Sequence, residues 1–193
     1  MRVTSNRQTA FWLKVLVVTG IYVALQVTLL LATGDGWQKF WVLQPADNLE
    51  YWDAIHYANL SINPRCQAFY LLWPWLLQLV ASSATVEQAL RVAILLSELL
   101  FLVSLPLALY TFERIIHNRR VALLAFVLYA LGPNAIFFAT GYTEALFGLL
   151  SLLFLLSLYY SDRPQLGKRS KIALYSALLG LVILINLARP ALT

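Results

Sequence analysis

Long apolar stretches, separated by short polar or charged segments, dominate the chain. A helical span needs about 20 mostly apolar residues to cross roughly 30 Å of hydrocarbon. Five stretches meet or nearly meet this: Phe11–Ala32, Leu90–Tyr110, Val121–Ala139, Thr143–Tyr160 and Ile172–Ala188. A sixth, Phe69–Ala81, carries no charge but is short and contains Pro74. At ~1.5 Å per residue it reaches only ~20 Å, so it reads as a re-entrant or interfacial half-helix. Between the first and sixth stretches, residues Asn48 to Leu60 show helical periodicity. Leu49, Trp52, Ile55 and Asn59 share one stripe; Asp53, His56 and Tyr57 share another. The pattern predicts an all-α polytopic membrane protein, one transmembrane domain over residues 1–193. It has about five spans, one half-helix and an amphipathic helix in the loop 33–68.

Composition agrees and removes the alternatives. Apolar residues make up 61% and charged residues 12%, against roughly 45–50% and about 25% in soluble domains. Disorder needs the opposite balance. Cys66 is the only cysteine, so no disulfide scaffold is present. The net charge of +5 belongs to topology and not to nucleic-acid binding. Arg2 and Arg7 precede the first span and Lys14 lies in its first turn, as in a signal peptide, but its apolar run is long and no Ala-x-Ala-like site precedes Gly34. An uncleaved anchor fits better.

Basic residues cluster at Arg2/Arg7/Lys14, at Arg114/Arg119/Arg120 and at Arg163/Lys168/Arg169/Lys171. If Phe69–Ala81 does not cross, all three clusters share one side, which the positive-inside rule assigns to the cytoplasm together with the N-terminus. The opposite side then receives the loop 33–68, the connection Gly141–Tyr142–Thr143–Glu144 and the segment at Arg189–Pro190. Asp53, Glu144 and Arg189 are far apart in sequence but fall at one face of the membrane.

Each of these residues has a structural and a chemical reading. The helix around Asp53 either lies on the bilayer with Trp and Tyr at headgroup depth, or presents Asp53 as a general base beside His56. Three credible metal ligands are not visible, and nothing calls for a cofactor. Glu144 either caps the positive end of the next helix or binds a hydroxyl-rich ligand. Arg189 is either a snorkelling anchor or a phosphate clamp. Glu98 lies mid-span, where a carboxylate costs roughly 2.5 kcal/mol or more. It either hydrogen-bonds a neighbouring helix or serves function, with Arg91 two turns away as a partner only if the helix bends or water enters.

Four motifs, taken together, resemble a known family. They are Trp52-Asp53, Ala68-Phe-Tyr-Leu-Leu-Trp-Pro74, Gly132-Pro-Asn-Ala-Ile-Phe-Phe-Ala-Thr-Gly-Tyr-Thr-Glu-Ala-Leu-Phe147 and Leu187-Ala-Arg-Pro190. In order and spacing they resemble the PIG-V-like mannosyltransferases, GT-C-fold membrane enzymes related to the second mannosyltransferase of GPI-anchor synthesis and its bacterial relatives. The resemblance covers about residues 40–190, and the Tyr-Thr-Glu hairpin is its most specific piece. Tyr70, Leu71, Ala188 and Glu98 depart from the usual family residues. Family members are about twice as long, so the chain reads as the N-terminal half of such a bundle.

The resemblance implies an inverting transfer of a sugar, mannose in this family, from a polyprenyl- or dolichyl-phosphate donor to an acceptor hydroxyl on the non-cytoplasmic face. Asp53 would be the catalytic base. Trp52, His56, Tyr142, Glu144 and Arg189 would bind substrate. The partners expected are the lipid bilayer, the lipid-phosphate sugar and a second membrane subunit, with no nucleic acid. Short loops and the lone cysteine favour a bacterial plasma membrane over the ER. Two alternatives stay open at this level: a non-catalytic subunit or truncated fragment of such an enzyme, and a transporter with broken helices.

Overall fold

The computed structural model describes residues 2–32, 52–63, 71–80, 85–138, 141–161 and 167–188. The described elements are all helical: α1 (Arg2–Ala32), α2 (Trp52–Ile62), α3 (Leu72–Val80), α4 (Val86–Ile115), α5 (Arg119–Leu131), a 3-10 helix (Pro133–Phe138), α6 (Glu144–Ser161) and α7 (Lys168–Ala188). Among them α1, α4, α6 and α7 are long and apolar enough to cross a membrane. The protein is an all-α polytopic membrane protein.

The stretch 121–139, expected as one span, is divided. Thirteen residues of α5 rise ~20 Å and the six-residue 3-10 helix adds ~12 Å. Together they match ~30 Å of hydrocarbon, but not as one helix. The break is encoded at Gly132-Pro133. A proline has no N–H to give to a continuing helix, and its ring would clash with the preceding turn of one. Gly132 closes α5 by donating to the Leu128 carbonyl at 2.9 Å. α5 starts on Asn118, whose side chain accepts from Arg120 N at 2.9 Å and Val121 N at 3.4 Å.

Helix α4 is the hub, packing against α1, α2, α3, α5 and α6. Thr85 caps its start by accepting from Gln88 N. Lipid offers no hydrophobic drive between helices, so close backbone approach and interlocking side chains must hold them. The interfaces accordingly use small residues: Ala93, Ala108, Ala122, Ala130 and Ala145 are all fully buried. The centre is aromatic. Phe101 stacks on Phe138 with centroids 4.5 Å apart and lies 4.9 Å from the Tyr22 ring. The outside is apolar too, with Trp12, Leu16, Leu79, Leu128 and Leu179 exposed as lipid-facing side chains would be.

Two contacts set the ends of the bundle. Lys14 of α1 pairs with Glu113 of α4 at 2.5 Å, and the hydroxyls of Tyr110 (α4) and Tyr160 (α6) lie 2.6 Å apart. Arg114 lies over the Tyr110 ring at 5.0 Å. The start of α1 and the ends of α4 and α6 therefore lie at one end, with the starts of α5 and α7. That end carries Lys14, the basic residues Arg114, Arg119 and Arg120 around the α4–α5 connection, and Lys168, Arg169 and Lys171 at the start of α7. The other end gathers α2, α3, the start of α4, the turn before α6 and the last turn of α7.

Candidate functional site

The half-helix α3 does not cross: nine residues rise only ~14 Å. Pro74 sits in its first turn, where a missing N–H costs nothing. Its inner face is formed by Trp73, Pro74 and Leu77, all buried. Trp73 and Leu77 pack in one cluster with Tyr57 of α2, Ala93 of α4, Leu146 and Leu150 of α6, and Ile185 and Ala188 of α7. Four segments that are remote in sequence thus meet around one short helix.

Helix α2 differs from the bilayer-surface helix that its periodicity allowed. It packs into the bundle through Ala54 and Ala58, which share a cluster with Ala89, Leu90 and Ile94 of α4 and with Tyr142. Small side chains four apart let two helices approach closely. Ser61, one turn on, is also buried and donates to the Ala58 carbonyl at 2.7 Å. The expected Asp53/His56/Tyr57 stripe divides: Tyr57 is buried and His56 is exposed. Trp52 and Asp53 occupy the first turn of α2, next to the buried Ala54; their side chains lie outside the described residues.

The connection ahead of α6 is a tight turn wedged against α4. Gly141 has φ +78°, the left-handed region that favours glycine. A Cβ there would stand 3.2 Å from Ile94 N and 3.3 Å from the Ala93 Cβ and the Ile94 Cγ1. The buried indole N–H of Trp73 donates to the Gly141 carbonyl at 3.0 Å. The Ser97 hydroxyl approaches the Tyr142 carbonyl at 3.4 Å. Thr143 is buried and its carbonyl accepts from Phe147 N at 2.9 Å, opening α6. Glu144 is the first residue of α6 and half-buried, as its reading as a first-turn carboxylate requires. The half-buried Tyr142 ring lies 5.7 Å from the exposed Phe137 ring.

Arg189 lies outside the described residues. Its neighbour Ala188 is fully buried in the cluster that holds Trp73 and Tyr57, so α7 delivers the chain to this same end. Glu98 is half-buried on α4. Arg91 bonds Glu87 instead, Nη2 to Oε1 at 2.6 Å, so the Arg91–Glu98 pairing considered from sequence is not the one formed. Among the described residues no three His, Cys, Asp or Glu side chains group closely enough to hold a metal ion.

Two structural devices escaped the sequence reading. The Ala54–Ala58–Ser61 ridge was masked by the louder Asp/His/Tyr pattern on the same helix. The Trp73–Gly141 bond links residues 68 positions apart; its only local sign is that a buried tryptophan N–H needs an acceptor.

A family model described as Mannosyltransferase (PIG-V) matches residues 36–183. GPI mannosyltransferase 2 of Schizosaccharomyces pombe is 28% identical over 110 residues, covering 54% of this chain and 24% of the relative. GPI mannosyltransferase 2 of Yarrowia lipolytica is 31% identical over 121 residues, covering 61% and 32%. The chain thus spans between about a quarter and a third of the length of the curated relatives it matches. No solved structure matches it.

Proposed function

Because the chain belongs to the PIG-V mannosyltransferase family, we propose that it carries the catalytic end of an inverting membrane glycosyltransferase using a lipid-phosphate mannose. One observation carries the reading: α2 with Asp53, the Gly141–Glu144 turn and the last turn of α7 are held at one end of the bundle around Trp73. By the positive-inside rule the basic end is cytoplasmic, with the N-terminus, so this site faces the opposite compartment. The preference for a bacterial plasma membrane rests on the short loops and lone cysteine alone, since both curated relatives are eukaryotic.

In the proposed reaction the acceptor hydroxyl oxygen attacks the anomeric carbon of mannose. The bond from that carbon to the phosphate oxygen breaks through an oxocarbenium-like state, and configuration inverts. Asp53 takes the acceptor proton. The lipid phosphate leaves, and Arg189, one residue beyond α7, supplies two parallel donors to its growing charge. Tyr142 and Glu144 hold sugar hydroxyls, and Trp52 and His56 bind the acceptor side. A second membrane subunit or segment completes the donor site.

Replacing Asp53 with Asn tests this. Transfer of labelled mannose from a polyprenyl-phosphate donor should fall by about 10²–10⁴-fold, the usual range for a positioned base. Membrane insertion should be unchanged. Retained transfer would remove Asp53 from the mechanism, and retained function without any transfer would favour a non-catalytic subunit.

A further inference from the structure

The turn that carries Tyr142 and Glu144 cannot hold itself. Its Gly141 is in the left-handed region, and a Cβ there would stand 3.2 Å from Ile94 N of α4. Its carbonyls at Gly141 and Tyr142 point into the bundle, where each meets a side chain from another helix: Trp73 of α3 at 3.0 Å and Ser97 of α4 at 3.4 Å. The Trp73 bond is the shorter, and its donor is fully buried. The indole therefore has one described acceptor, and the Gly141 carbonyl has lost water in exchange. The same ring lies in one buried cluster with Ala188, which ends α7, and with Tyr57, which stands one turn after Asp53. One side chain thus bonds the turn that starts α6 from within the cluster that joins the two other site-bearing helices.

We infer that Trp73 is a positioning residue: its N–H to the Gly141 carbonyl sets where the first turn of α6, and with it Glu144, stands against α2 and α7. The inference deepens the proposed transfer reaction and rests on it. Trp73 takes no part in the chemistry. Its ring fills the junction, and its N–H fixes the register of the turn, so the two functions separate in Trp73→Phe, which keeps an aromatic ring and loses the donor.

The test has one readout that needs turnover and one that does not. With Cys66→Ser as background, Glu144→Cys is labelled by a water-soluble maleimide in intact membranes, with and without Trp73→Phe. Gly167→Cys, exposed at the far end of the bundle, is the control. Labelling at 144 should rise at least threefold with Trp73→Phe and stay constant at 167. Phe126→Leu, which thins the core away from the turn, should leave 144 unchanged; this separates positioning from general loosening. In mannose transfer, Trp73→Phe and Glu144→Gln should each lower kcat/KM. The double variant should fall no more than twofold below Glu144→Gln alone, because the first change acts through the second residue. Unchanged labelling at 144, or losses that multiply, would overturn the inference. A wild-type chain that transfers no mannose in its native membrane, with its partner subunit present, would overturn the reaction it serves, and the labelling result would tell that failure apart from a wrong contact.

Discussion

Substituting Gly141 by Ala puts a number on how tightly the turn is held. An L-residue at φ +78° costs about 1–2 kcal/mol, because its Cβ crowds the following carbonyl. The added methyl would also meet Ile94 N at 3.2 Å and two side-chain carbons at 3.3 Å. The first is backbone in the middle of a helix and cannot swing aside, so relief must come from moving the turn. Overpacking of this kind costs roughly 1–3 kcal/mol. The sum is about 2–5 kcal/mol, a shift of between about 30-fold and several thousand-fold in the folding equilibrium at 1.4 kcal/mol per tenfold. Reversible unfolding in mixed detergent–SDS micelles reads it. Gly180→Ala on α7 is the matched control. Nothing lies within 4 Å of its added Cβ, and a helical Gly→Ala change should stabilise by about 0.5–1 kcal/mol. A Gly141→Ala protein within 0.5 kcal/mol of the wild type, by contrast with that ~2–5 kcal/mol, would refute the reasoning. The turn would then adopt another conformation without loss, and its wedge against α4 would not be a constraint.

Two further tests bear on the rest of the bundle. Gly148→Ala sets a Cβ 3.0 Å from the Tyr129 hydroxyl, which shares a 2.8 Å hydrogen bond with Ser104. The bond should be displaced at a cost of about 0.5–1.5 kcal/mol, so Gly148→Ala should fall short of the gain at Gly180→Ala by about that amount, and Tyr129→Phe combined with Gly148→Ala should lose little more than Gly148→Ala alone in the same unfolding assay. Glu113→Gln removes the partner of Lys14, but both side chains are about a third exposed. Screening limits that pair to about 0–1 kcal/mol, and the difference from wild type should vanish at high salt.

What could be read without coordinates follows from one-dimensional physics. The membrane class needs only apolar run length, and the proposed sidedness rests only on where Arg and Lys cluster. The shortness of Phe69–Ala81 alone decided that all three basic clusters share an end, and the bundle places α3 and the helix ends accordingly. Glu144 at the head of α6 was likewise legible, since Gly141 stops one element and an acidic residue suits the start of the next. Helix faces were another matter. In water the buried side of a helix is its apolar side; in lipid both sides are apolar, so periodicity could not say that Ala54, Ala58 and Ala93 face inward while Leu79 and Leu179 face out. The break in the third span was written at Pro133, yet whether a proline kinks or ends a helix depends on what replaces the lost hydrogen bond. Only the tertiary structure brought Trp73 to Gly141, whereas Arg91 takes Glu87, its local neighbour one turn back on α4. A buried donor takes the acceptor that folding brings within reach, and sequence distance carries no record of that choice.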